Sequence, residues 1–405
     1  MEPVECFAHK KQASTIYMSS ALKSAIKFPN SIRTNIHIKE NVCIIPITLG
    51  VFLAGFSHHG PLLGPRTKLF EQMSLAGEEL GFETIFFGHQ HVHLEQNVVH
   101  GYLYKHNKWV QKVGPIPPVI YNRLPNRKIE HHPQVGKVMK GLKQKSSFFN
   151  DGFFNKWEIH EKVMKDTDYS FLLPETTLHP SKQKIQSLLT KYPLYIKPVH
   201  GSVGKGIVQC TKLENGELEV RYYIQNQAKV IRYEEDEAFF QQQFPNGFKG
   251  YVAQQAISLI QKQNSPIDFR VHANKNDRNS WEVTLIAAKF AGKGSLTTHV
   301  QRGGSIHTLE ELFSAEEAKR IQTKLSSLTL KLCQGLERRM AHPVGEFGFD
   351  FGIDQEGKAW LFEANSKPGF HVFDHPSIRK KMKHILSYPY RYGFYLHNQK
   401  VNRFS

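Results

Sequence analysis

Apolar and polar positions change period along this chain, and the changes divide it into regions. Residues 42–56 are almost continuously apolar, which predicts a buried strand. From Thr67 to Leu80, the apolar residues Leu69, Phe70, Met73, Ala76 and Leu80 recur at helical spacing, and Gly81 can end that helix. Thr84-Ile-Phe-Phe87 predicts the next strand, so strand, helix and strand together predict a parallel α/β unit. Tyr102-Leu-Tyr and Trp109-Val flank Lys105–Lys108 as a hairpin, and Val119 to Arg123 reads as a further strand.

A second unit starts near residue 150. Asn155 and Glu158 predict a capped helix through Lys165, Leu172-Leu173 should begin a strand, and Ser181 should cap a helix to Thr190. Pro193 to Pro198 and the residues after Gly206 read as two strands around a glycine-rich loop, with a turn at Asn215-Gly216. Tyr251–Ile257, Asp268–Ala273 and Trp281–Phe290 are three more strands. A long helix should run from the Ser314/Glu317 capping box to about Met340. Residues 1–41 are polar and basic with short β-like runs such as Ser31 to Ile38, a small β-rich segment.

The chemistry concentrates where alternation is strongest, from Glu346 to Gly369. Two alternating runs flank Asp354-Gln-Glu-Gly-Lys358, which predicts a hairpin with Asp350 opposite Glu363. Asn365 shares the face of Glu363, because side chains alternate with a period of two. Two carboxylates and an amide oxygen on one face make a hard-oxygen site suited to Mg²⁺ with room for phosphate oxygens. The bland alternative is a hairpin decorated with solvated acids. The upstream stretch Gly201-Ser-Val-Gly204-Lys205-Gly206 argues against it, since glycines let backbone N–H groups approach phosphate and Lys205 adds charge. It is not a Walker A loop, which needs glycine at Val199 and Ser or Thr at Gly206.

Bulk composition narrows the class. At 405 residues the chain should hold two or three domains. With 40% hydrophobic and 22% charged residues it reads as soluble and globular, and no apolar run approaches the ~20 residues of a membrane span. The amino terminus lacks the basic and apolar regions of a signal peptide. Cys6, Cys43, Cys210 and Cys333 form no Cys-x-x-Cys pair, which predicts a reduced, cytoplasmic protein. A net charge of +17 favours anionic partners such as nucleotides or acidic peptides. It also motivates a nucleic-acid reading, but no recognition motif accompanies it. His89, His91 and His93 should share one strand face, with no carboxylate or cysteine beside them to make a metal site.

The order of these features is more specific than any one of them. Lys156 precedes Lys197-Pro-x-x-Gly-Ser-x-Gly-Lys-Gly206, followed by Gln254-Gln-Ala-Ile257, Asp268-Phe-Arg270, Gly303-Gly304 and Asp350-x12-Glu363-x-Asn365. This resembles the ATP-grasp superfamily across roughly 150–375. Tyr121-Asn-Arg123, Phe153-Phe-Asn-Lys-Trp157 and Asp268-Phe-Arg-Val look like the YheC/YheD family, associated with endospore coats. The resemblance implies an ATP-grasp fold, α/β and α+β, with two α+β subdomains clamping ATP over 151–385. A pre-ATP-grasp α/β domain would precede it at 42–150, and residues 386–405 would form a tail packed on the domain.

The resemblance further implies an ATP- and Mg²⁺-dependent carboxylate–amine ligase, using one or two ions. Lys156 and Lys197 would bind ATP, and Gly201, Ser202, Gly204, Lys205 and Gly206 would form a flap over its phosphates. Gln254 would occupy the hinge, Gln255, Ala256 and Ile257 would contact adenine, and Gln261 the ribose. Asp350, Glu363 and Asn365 would hold metal. Arg270, assisted by Lys289 or Arg302, would stabilise the transferred phosphoryl group, and Gly304 would present a backbone N–H to the tetrahedral intermediate. Expected partners are an acidic peptide, amino acid or envelope- or spore-related molecule, and spore coat proteins. Related ATP-grasp ligases often carry Arg at Lys289 and Asn at His299, and many carry Arg at Gly348; these departures motivate a second reading, a non-catalytic ATP-binding coat component. Asn122 and Arg123 should stand near the rim of the substrate cleft.

Overall fold

A computed structural model describes residues 37–39, 42–44, 47–57, 59–154, 156–166, 168–199, 206–224, 227–291 and 304–402. The continuous apolar run at 42–56 is two strands rather than one. β1 (His37–Lys39) pairs antiparallel with β2 (Val42–Ile44), and β3 (Ile47–Phe52) belongs to a different sheet. Pro46, which offers no N–H to a ladder, stands between β2 and β3.

The amino-terminal sheet is built on β3. Helix α1 (Thr67–Glu79) returns the chain to β4 (Phe82–Phe87), parallel to β3 and buried along its whole length. His89–His91 then forms a 3₁₀ turn, so the three histidines do not share a strand face; only His93 lies in a strand, β5 (Val92–His93). β6 (Val98–Lys105) and β7 (Lys108–Pro115) are the expected hairpin. β8 (Val119–Asn122) pairs parallel with β3, a single helical turn α2 (Arg127–Glu130) and helix α3 (Pro133–Lys145) follow, and β9 (Ser147–Phe149) closes the edge.

The second sheet starts after α4 (Lys156–Met164). Leu172 ends a 3₁₀ turn rather than beginning a strand; the strand β10 (Thr176–Leu178) comes after Pro174. Ser181 caps α5 (Lys182–Leu189) by accepting from the Lys184 N–H at 3.1 Å. β11 (Leu194–Pro198), β12 (Val208–Lys212), β13 (Leu218–Ile224), β14 (Gln227–Tyr233) and, after α6 (Asp236–Gln243), β15 (Tyr251–Gln255) complete an antiparallel sheet in the order β10-β15-β11-β12-β13-β14.

The third sheet runs β19-β18-β17-β20-β21, also antiparallel. Its strands are β17 (Ser265–Lys275), preceded by the short β16 (Gln261–Lys262), then β18 (Trp281–Phe290) and β19 (Ser305–His307). After helices α7 (Leu309–Leu312) and α8 (Ala315–Glu337) come β20 (Glu346–Ile353) and β21 (Ala359–Asn365). Ser314 and Glu317 form the expected reciprocal cap at the start of α8. One face of this sheet buries Phe269, Val271, Phe347, Phe349 and Leu361 against Leu325 and Leu332 of α8.

After α9 (Pro376–Arg379), the carboxyl-terminal residues form helix α10 (Met382–Asn402), which docks on the amino-terminal sheet. Leu386, Tyr390, Tyr392 and Leu396 share a core with Leu49, Phe82, Val119 and Phe149. The Tyr390 hydroxyl donates to the Met73 carbonyl at 2.8 Å and bonds Thr84 Oγ1 at 2.8 Å. Gly77 is needed there: a Cβ would lie 2.4 Å from the Tyr390 ring. The chain end thus ties the first sheet to the third. No helix among the described residues is long and apolar enough to cross a membrane.

Candidate active site

The face of the third sheet opposite its apolar core carries the charge. Alternation along β17 sends Ile267, Phe269 and Val271 into the core and leaves Asp268, Arg270 and His272 on the other face. The register then assembles the rest. Asp268 pairs with Lys289 of β18, Arg270 with Asp350 of β20, Asp350 with Glu363 of β21, and Gly348 with Asn365. A register shift after Asp350 leaves Phe362 as an extra residue on β21. The hairpin is therefore in phase where its acids meet and out of phase toward its turn.

Asp350 is the electrostatic centre. Arg270 Nε donates to its Oδ1 at 2.9 Å and Arg270 NH2 to its Oδ2 at 3.0 Å, while Lys289 Nζ donates to Oδ1 at 2.8 Å and lies 3.0 Å from Asp268. Burial alone would raise the Asp350 carboxyl, but Arg270 and then Lys289 hold it well below the carboxylate range. Burial pulls Lys289 down and Asp268 and Asp350 more than reverse it, so the ammonium is kept charged. His272, next on the same face, is pushed down to about 3 by burial and by Arg270, and its Nε2 has no hydrogen-bond partner.

The second sheet presents a lysine to the same region. Lys197 Nζ donates to Gln254 Oε1 at 2.7 Å, and Gln254 Nε2 donates to Thr176 Oγ1 at 2.9 Å. A side-chain amide can satisfy both, acting as acceptor and donor at once. His160 of α4 is close enough to this lysine to feel its charge. Burial, then the Lys197 charge, pushes its imidazole down to about 4. Its side chain lines a shallow pocket with Leu173, Phe362 and Glu363. β11 and β12 are antiparallel neighbours with Ile196 opposite Val208. Gly206 holds φ +72° against Pro198, a conformation that excludes most side chains.

Several expected site residues are placed differently or lie elsewhere. Gly201, Ser202, Gly204, Lys205, Arg302 and Gly303 lie outside the described residues, as does the side chain of Lys156. The Gln255 and Ala256 N–H groups donate to the Glu175 and Pro193 carbonyls, both at 2.8 Å, so neither N–H is available to a base. Gln261 is exposed on β16 opposite Pro266, and Gly304 abuts the strand beside Lys289. Gly348 leaves no room for a side chain: a Cβ would lie 2.5 Å from Pro368 Cβ and 3.4 Å from Arg270 NH1.

Asn122 and Arg123 are not at a cleft rim. Asn122 is 0% exposed and donates to Glu130 at 2.8 Å, while Arg123 pairs with Glu346 at 2.8 Å and donates to the Pro368 carbonyl at 3.1 Å. Arg123 joins the first sheet to the third, together with Tyr121, whose hydroxyl donates to Glu346 at 2.6 Å, while Asn122 holds α2 through Glu130. The same junction holds a residue that alternation did not single out. Lys367 donates to Glu130 at 2.6 Å, and burial pulls it down to about 8. Its signal in the sequence was its place two residues after Asn365. His160 left no comparable signal, because its neighbours come from other elements.

The antiparallel sheet that carries Lys197 and the antiparallel sheet that carries Asp350 and Glu363 are those of an ATP-grasp protein. The family model described as YheC/D like ATP-grasp matches residues 145–396. The chain is 36% identical to endospore coat-associated protein YheD of Bacillus subtilis (strain 168), over 96% of this chain and 87% of that protein. It is 24% identical to endospore coat-associated protein YheC of the same organism, over 64% of this chain and 73% of that one. The chain belongs to the YheC/D-like ATP-grasp family. Among solved structures, the D-alanine-D-alanine ligase from Coxiella burnetii matches with a TM-score of 0.49 at 10% identity, covering 88% of this chain and 95% of that chain.

Proposed function

We propose that the protein is an ATP- and Mg²⁺-dependent ligase that joins a carboxylate to an amine through an acyl phosphate, releasing ADP and phosphate. The observation that carries this reading is the shared face of Asp268, Arg270, Lys289, Asp350 and Glu363, with His160 connecting it to Lys197. Asp350, Glu363 and Asn365 offer only oxygen donors in register, a set that fits Mg²⁺. That ion, when bound, supplies charge neutralisation across the phosphates.

The chain's own groups account for the rest. Lys197, oriented by Gln254, contacts an ATP phosphate, and the glycine-rich stretch Gly201–Gly206 supplies donors to the triphosphate. Adenine is met by the Ile257 N–H and the hinge carbonyls rather than by the Gln255 and Ala256 N–H groups. Arg270 moves one prong from Asp350 to the γ-phosphoryl as it passes to the substrate carboxylate, since its fork can serve two acceptors. Lys289 stays with Asp268 and Asp350 and keeps the site cationic. The amine then attacks the acyl carbon, with Gly304 N–H facing the developing oxyanion, and phosphate leaves. The +17 charge favours an acidic peptide, amino acid or envelope- or spore-related substrate. The relatives' names support a coat-associated setting.

One observation favours a second reading. Arg270 and Lys289 already satisfy Asp350, so the site is electrostatically closed without nucleotide. A coat component that binds ATP without turnover needs nothing more. Purified protein with ATP, Mg²⁺ and pooled amino acids separates the two: ADP and phosphate release, lost in Glu363→Ala, supports the ligase. Nucleotide binding without release supports the scaffold, and absence of nucleotide binding overturns both.

A further inference from the structure

At the β19 edge of the third sheet, away from the acidic hairpin, three side chains from separate elements converge. His307 ends β19, Glu311 lies in α7, and His375 immediately precedes α9. Their ligand atoms all fall within 4.8 Å of one another. Glu311 Oε2 lies 3.5 Å from His307 Nδ1 and 3.2 Å from His375 Nε2. Ligand atoms on a tetrahedral zinc with bonds of ~2.0–2.1 Å stand about 3.4 Å apart, so two of the three edges are already at zinc spacing.

The surroundings are those of an oriented site. The other nitrogen of His307 contacts Ser305 Oγ at 2.7 Å, and the Thr308 N–H donates to Glu311 Oε2 at 3.0 Å. Such contacts fix the tautomer of a ligating histidine and the rotamer of a ligating carboxylate. His375 turns Nε2 toward the cluster, while its Nδ1 is buried with no hydrogen-bond partner.

We propose that His307, Glu311 and His375 bind a zinc ion, with a fourth position left to water or to a ligand. Two imidazoles and a carboxylate are a donor set that zinc accepts. The site would pin β19, whose Ile306 pairs with Lys289, to the segment that follows Asn365. It would thereby brace the strand next to the charged face without touching it. The inference does not depend on the ligase reading.

The test uses the full chain without nucleotide. Protein is loaded with ZnCl₂, desalted, and titrated against a chromogenic zinc chelator, alongside His307→Ala/His375→Ala and Glu311→Gln. Wild type should retain one equivalent and melt at a higher temperature with zinc. The double variant should lose both that equivalent and the shift while keeping its circular dichroism spectrum. Should the double variant fail to fold, His375→Gln alone should weaken zinc at least tenfold. Co²⁺ in place of zinc should give visible d–d bands in wild type that Glu311→Gln alters. Equal zinc retention in wild type and variants, or none in wild type, overturns the proposal.

Discussion

Arg270 grips Asp350 across adjacent strands with two parallel hydrogen bonds, Nε to Oδ1 at 2.9 Å and NH2 to Oδ2 at 3.0 Å. Asp350 is buried and Arg270 partly so, and Lys289 completes the charge balance from the other side. Removing one partner of such a pair strands the other in a poor solvent, which costs about 3–5 kcal/mol. Asp350→Ala should therefore lower the free energy of unfolding by that order, measured by urea titration. Arg270→Ala should cost a similar amount, and the double variant much less than the sum.

Glu363 separates function from folding better than Asp350 does. It is half-buried and lines a pocket with Leu173 and Phe362. Glu363→Gln should change stability by less than about 1 kcal/mol. In the ligase reading it should slow ADP release on the order of 100-fold and raise the Mg²⁺ concentration needed, since about 2.7 kcal/mol of lost charge stabilisation has that effect.

Lys197 is oriented by Gln254, and Gln254 by Thr176. Lys197→Met should weaken ATP binding about tenfold or more, because a hydrogen bond to a charged group contributes ~1.5–3 kcal/mol. Gln254→Leu should weaken it less, by loosening the lysine. Calorimetric titration with a non-hydrolysable ATP analogue reads both. Equal affinity in wild type and Lys197→Met would remove Lys197 from the nucleotide site.

The junction predicts a stability effect where sequence reasoning looked for a substrate effect. Arg123→Ala would leave Glu346 buried without its cation, at a cost of about 3–5 kcal/mol, whereas Tyr121→Phe should cost about 1 kcal/mol. If Arg123→Ala instead left the urea midpoint unchanged and altered only turnover, the cleft-rim assignment would be restored.

His272 gives a pH signature with a defined sign. It is neutral in the folded protein down to about 3, against an ordinary value of 6.5. Between those values the unfolded chain binds a proton that the folded chain refuses, so stability rises with pH there. The contribution is complete above about 6.5 and is lost as pH falls toward 3. Asp350 adds a loss of the same sign only below the ordinary carboxylate value of 3.8. His272→Leu should flatten the urea midpoint between pH 6.5 and 4 relative to wild type.

Local periodicity made much of this protein legible. Alternation in Glu346–Asn365 was enough to put Asp350 opposite Glu363 and Asn365 on the same face, because a strand's side-chain period is fixed by its backbone. Helix caps such as Ser181 and Ser314 were equally plain, since a cap is a contact between residues three apart. The fused run at 42–56 and the alternating histidines failed for a local reason as well: apolarity and spacing do not say where a ladder breaks or a turn tightens.

What the chain determined alone is which residues share a face and in what order the chemistry arrives. What only the tertiary structure decided is which charge answers which. Arg270 and Lys289 settle on Asp350, Arg123 on Glu346, and Lys367 on Glu130, pairings that span from 61 to 237 residues. A buried charge must find a partner wherever folding brings one, and separations of that length leave no trace in a local pattern.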